Sequence, residues 1–137
     1  MFDDLASYLA SASNRQLVLD QFLEHVYLAL VPMVLGVLLA IPLGWVAGRL
    51  RWLRGSLFAT ANIVYTIPSL ALFVIIPGVI GTSSISPVNV IIVLTLYTIA
   101  LLVRPVHDAL RAVPAPVVAA AVAMGYRPLA RFFAVEL

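Results

Sequence analysis

Residues 55–103 form a run of 49 positions without one Asp, Glu, Lys, Arg or His. A soluble domain carries about 25% charged residues. This chain carries 10%, beside 64% hydrophobic residues and a mean hydropathy of +1.11. Disorder requires the opposite bias, low hydrophobicity with high charge. The solvent that fits such a chain is a lipid bilayer.

The run is too long for one span and long enough for two of ~20 residues with a turn between them. Gly78 and the cluster Gly81-Thr-Ser-Ser-Ile-Ser-Pro87 supply that turn. The second and third spans are therefore predicted at 56–80 and 88–111. Upstream, residues 26–48 are uncharged for 23 positions, about 34 Å of helix at ~1.5 Å per residue, and make the first span. Pro32 and Pro42 interrupt it, which membrane helices tolerate when neighbours satisfy the freed carbonyls. The expected fold class is all-α, a polytopic membrane protein with three transmembrane helices over 26–111.

The flanks are read separately. Residues 1–25 carry Asp3, Asp4, Asp20 and Glu24 against one Arg15. This acidic start lacks an early apolar core and is not expected to be a cleavable signal peptide. Leu19, Phe22, Leu23 and Val26 share a helical face, so the arm is either an interfacial helix or a loose terminal segment. The last turns of the third span carry Arg104, His107, Asp108 and Arg111, read as a solvated helix end with an Arg104–Asp108 pair at i, i+4. Beyond it, Ala-Val-Pro-Ala-Pro116 breaks the chain, and 117–124 reads as a short helix ended by Gly125.

All eight basic residues are Arg. Arg49, Arg51 and Arg54 lie between the first two spans, and Arg104, Arg111, Arg127 and Arg131 follow or end the third. The loop at 81–87 has no charge. The positive-inside rule then puts both Arg-bearing regions, including 112–137, in the cytoplasm and the N-terminus outside. Trp45 and Trp52 mark the inner boundary and Tyr27 the outer one. A net charge of +2 does not suggest a nucleic-acid partner, and the absence of Cys excludes disulfides and thiolate metal sites.

Two stripes carry candidate function. Gly36, Ala40, Gly44 and Gly48 recur every four residues on the first span, where small side chains let backbones approach closely. They pack either within the subunit or at a dimer seam. Asn62, Tyr65, Thr66 and Ser69 fall at i, i+3, i+4, i+7 on the second span as one polar face. Such a face lines a solute path or bonds helices together. No phosphate-binding Gly-rich loop, zinc-protease motif or nucleophile elbow is present, so the chain is not expected to be an enzyme. No charged residue lies mid-membrane to bind protons or sodium. Uphill movement of a solute must draw its energy from a partner.

Ala119-Ala-Ala-Val-Ala-Met-Gly125 resembles the EAA loop of ABC importer permeases, whose pattern is Glu-Ala-Ala, three residues, then Gly. Position 119 is Ala where that family has Glu. Ala61-Asn-Ile-Val-Tyr-Thr-Ile-Pro-Ser-Leu-Ala-Leu72 is similar to the glycine betaine/choline/carnitine branch of the same family, as are residues 25–54, 97–104 and 124–137. The resemblance covers roughly residues 22–137 and implies the N-terminal part of a longer permease of the type I importer kind. It implies a short cytoplasmic coupling helix at Ala119, Ala120, Ala121 and Gly125 that docks on an ATPase subunit holding ATP and Mg. It also implies a second permease subunit and an outside substrate-binding protein, importing glycine betaine, choline, carnitine or proline betaine through the cell membrane. A three-span accessory protein and a small oligomeric channel are the alternatives.

Overall fold

The computed structural model describes Tyr8 and residues 10–136. Asp3 and Asp4 of the acidic arm lie outside the described residues. The described chain is helical throughout, with α1 at Ala12–Arg49, α2 at Arg51–Thr66, α3 at Ser69–Ile80, α4 at Pro87–Ala112, α5 at Ala115–Ala123 and α6 at Pro128–Arg131. A π-helical turn, Phe132–Glu136, follows. Helices α1 and α4 are each long and apolar enough to cross a membrane, and α2 with α3 makes a third, bent candidate.

Helix α1 is continuous for 38 residues, about 57 Å at ~1.5 Å per residue. That exceeds a ~30 Å hydrocarbon core. The expected boundary between arm and span near residue 25 is therefore no structural break, because nothing in 12–31 stops a helix. Pro32 and Pro42 sit inside it. Most large side chains of α1 remain exposed, among them Leu19, Phe22, Leu23 and Leu38. In a bilayer such positions meet lipid at no penalty.

The second predicted span differs most. In place of one helix over 56–80, the chain stops at Thr66 and restarts at Ser69 with a bend of 104°. Ile67 (φ −67, ψ 127) and Pro68 (φ −56, ψ 131) are both extended. The Pro68 ring disfavours a helical conformation at the residue before it, and Pro68 has no N–H to continue the ladder.

Helix α3 ends at Gly81, whose φ of +72° is the left-handed region where a side chain is strained. The N–H groups of Gly81 and Thr82 both reach the Pro77 carbonyl. Asn89, 1% exposed, closes the 81–86 loop. Its amide donates to the Ser83 carbonyl at 2.7 Å, and its oxygen accepts from Thr82 Oγ1 at 2.6 Å. Ser86 caps α4, its hydroxyl accepting from the Val88 N–H, with Pro87 at the first helical position.

The core is the seam between α1 and α4, where Ala40, Ala47, Val93 and Val103 are buried. Little drives apolar helices together inside lipid except close packing. The small residues of α1 supply it. A Cβ at Gly36 would lie 2.3 Å from Thr98 Cβ, and one at Gly44 would lie 2.7 Å from Val106 Cγ1. Ala40 is fully buried between them. The Gly36–Ala40–Gly44 stripe thus faces α4 of its own chain, and Gly48 continues it toward the His107 ring, which a Cβ at that position would meet at 3.6 Å, an ordinary contact.

Candidate functional site

The bend brings a mid-span backbone break against α4. There the Tyr97 hydroxyl donates to the Ile67 carbonyl, a group left outside either helix. Tyr65 meets Tyr97 edge to face, with ring centroids 6.2 Å apart. Pro32, Met33, Leu94 and Leu101 complete the groove around the two rings.

The polar face predicted over Asn62, Tyr65, Thr66 and Ser69 is not continuous. The first three lie on the last turns of α2, and Ser69 opens α3 beyond the bend. The Thr66 hydroxyl donates to the Asn62 carbonyl of its own helix at 2.7 Å. Sequence periodicity missed this because a helical wheel assumes an unbroken helix. It also passed over Tyr97, whose one signal was a phenol in the middle of an apolar span, a group that seeks a partner when buried.

A second cluster surrounds His107. This side chain is 4% exposed, not solvated as its helix-end position suggested. Its Nδ1 lies 3.4 Å from the Gly44 carbonyl, and Phe58 of α2 stands edge-on to the ring at 5.3 Å. The missing side chain of Gly44, where a Cβ would lie 3.0 Å from the His107 backbone nitrogen, lets α4 approach closely enough to bury the ring. Arg104 stacks over Phe58 at 4.8 Å, and among the described residues no ion pair joins it to Asp108. Arg49 stacks over Trp45 at 5.1 Å. These arginines spend their planar faces on aromatic rings, which keeps their charge at the helix ends.

The third element is the short helix after α4. Pro114 precedes α5 and Pro116 lies in its first turn, where the missing N–H costs nothing. The helix begins two residues earlier than predicted and ends at Ala123. Gly125 has a φ of +83°. The Gly125 N–H reaches the Val122 carbonyl at 3.0 Å, and the Tyr126 N–H reaches that of Ala121 at 3.1 Å, a Schellman closure. Of the four residues singled out here, Ala121 is buried, whereas Ala119, Ala120 and Gly125 are exposed. Val122 and Met124 are exposed beside them. The outer face of the knob is small and apolar.

Three candidate spans, one of them broken at mid-length, followed by a compact Pro-bounded helix with an exposed apolar face, define a multi-pass membrane component. Residues 40–137 match the family described as binding-protein-dependent transport system inner membrane component, and the chain belongs to it. It is 30% identical over 114 residues to the choline transport system permease protein OpuBB of Bacillus subtilis, covering 83% of this chain and 51% of that protein. It is 32% identical over 114 residues to the osmoprotectant import permease protein OsmW of Salmonella typhimurium, covering 81% and 48%. It is 39% identical over 83 residues to the ergothioneine transport permease/ergothioneine binding protein EgtU of Helicobacter pylori, covering 61% and 14%. The chain spans about half the length of the first two relatives. No solved structure matches it significantly.

Proposed function

We propose that the chain is part of the permease subunit of an ATP-driven importer for quaternary ammonium compatible solutes such as choline, glycine betaine and carnitine. The observation that carries this reading is the family match over residues 40–137 together with relatives named for choline and osmoprotectant transport. Choline, glycine betaine, carnitine and ergothioneine all contain a trimethylammonium group, the chemistry these named solutes have in common.

In this reading the Arg-bearing helix ends face the cytoplasm, the 81–86 loop faces outward, and residues 112–137 meet the ATPase subunit. The ATPase binds ATP and Mg; an outside binding protein delivers the solute, and a second permease subunit completes the path. Helix α5 suits a coupling role. It is short, held at both ends by Pro114 and Gly125, and presents Ala119 and Ala120 outward. A rigid knob transmits a push from a partner better than a loop does.

Reconstitution of the complete transporter with its ATPase and binding protein tests the reading. Labelled choline or glycine betaine should accumulate in vesicles only with ATP. Failure to accumulate any trimethylammonium solute, with ATPase activity intact, rejects it.

A further inference from the structure

A trimethylammonium group carries a permanent charge that no proton transfer removes. Residues 55–103 offer it no carboxylate. Without an acid, a buried cation can be held by aromatic faces and by carbonyl dipoles. The break in the second span puts both in one place. Helix α2 terminates at Thr66, and a helix C-terminus carries about half a negative charge on its unpaired carbonyls. Pro68 has no N–H for the carbonyl four residues before it, that of Val64. The Tyr65 and Tyr97 rings stand beside this terminus, 6.2 Å apart. Tyr97 is fixed in orientation because its hydroxyl is committed to the Ile67 carbonyl. Tyr65 is 58% exposed and turns into a groove of about 330 Å³, within the size range of small-molecule sites. Met33 adds a polarizable thioether to the lining.

We infer that the groove at the Tyr65–Tyr97 pair, beside the broken second span, is a transit site for the trimethylammonium group, which rests against the exposed Tyr65 ring near the carbonyl end of α2. The inference rests on the import reading above for its solute class. A small metal cation is poorly served here, since it demands hard oxygen ligands in number. A large, weakly hydrated cation loses little when it exchanges water for π faces.

The test uses the complete transporter and two readouts. Uptake of labelled choline per assembled complex should fall at least about fivefold in Tyr65→Leu. In Tyr65→Phe, which keeps the ring, it should stay within about twofold of the wild type. Equal uptake by the Leu and Phe variants overturns the site. The second readout needs no transport. In the subunit carrying ¹³C-labelled tyrosine, tetramethylammonium chloride should shift the ring signals of Tyr65 and Tyr97, and the neutral 3,3-dimethylbutanol should not. If wild-type complexes take up no trimethylammonium solute, the import reading fails and this titration decides the site alone. Unmoved ring signals, or equal shifts by the neutral alcohol, overturn it.

Discussion

Gly44 of α1 lies directly against the backbone of His107 of α4. A Cβ at position 44 would sit 3.0 Å from the His107 nitrogen and 3.1 Å from the Val103 carbonyl oxygen. The Gly44 carbonyl in turn faces His107 Nδ1 at 3.4 Å. One missing side chain therefore sets both the helix spacing and the burial of the imidazole.

Substitution at that contact should separate the helices. Backbone atoms cannot rotate away as a side chain can, so Gly44→Val should cost about 1–3 kcal/mol or more of packing. Gly48→Ala, with only ordinary contacts ahead of it, should be nearly neutral. Thermal unfolding of the purified subunit in detergent checks this. A Gly44→Val midpoint equal to that of Gly48→Ala would contradict the seam.

The left-handed turn at Gly125 predicts a second effect. Nothing crowds a Cβ there, so the penalty of Gly125→Val is conformational alone, about 1–2 kcal/mol. The Schellman closure should loosen and α5 should fray. Under the import reading, ATPase co-purification should drop or ATP hydrolysis should uncouple from uptake, with binding-protein docking unchanged. Ala119→Glu, which adds charge on an exposed face, should be tolerated. Unchanged co-purification and coupling in Gly125→Val would reduce residues 115–125 to a linker.

Orientation is checked by single-cysteine labelling, since the chain has no Cys of its own. A Cys at Ser84 should react with a membrane-impermeant maleimide in intact cells, and one at Ser56 should react only after permeabilisation. The reverse pattern would invert the topology and, under the import reading, remove α5 from the side where an ATPase would dock.

The bend itself is measurable. Across a 104° bend, labels at positions 56 and 78 should lie about 20 Å apart, against about 33 Å along a straight helix at ~1.5 Å per residue. Pro68→Ala restores an N–H and frees Ile67 to become helical, so its distance distribution should broaden toward the longer value. Tyr97→Phe removes the donor to the Ile67 carbonyl and should act in the same direction, less strongly. Spin-label distance measurements that show ~33 Å in the wild type would refute the broken span.

The apolar runs, the turn at 81–87, the Arg distribution and the glycine at 125 were legible because each follows from local chemistry. Uncharged length makes a candidate span, and a residue without a Cβ tolerates a left-handed φ. Proline at 68 was equally visible, yet its consequence was not. Pro32, Pro42, Pro77 and Pro105 all sit inside continuous helices. At Pro68 the chain instead turns away in mid-span, and there Tyr97 of a distant helix donates to the carbonyl that the turn exposes. A backbone group inside lipid needs a partner, and no local pattern says whether one waits across the fold. His107 makes the same point. Its helix-end position reads as solvated, and its burial is decided by the close approach of α4 that Gly44 allows.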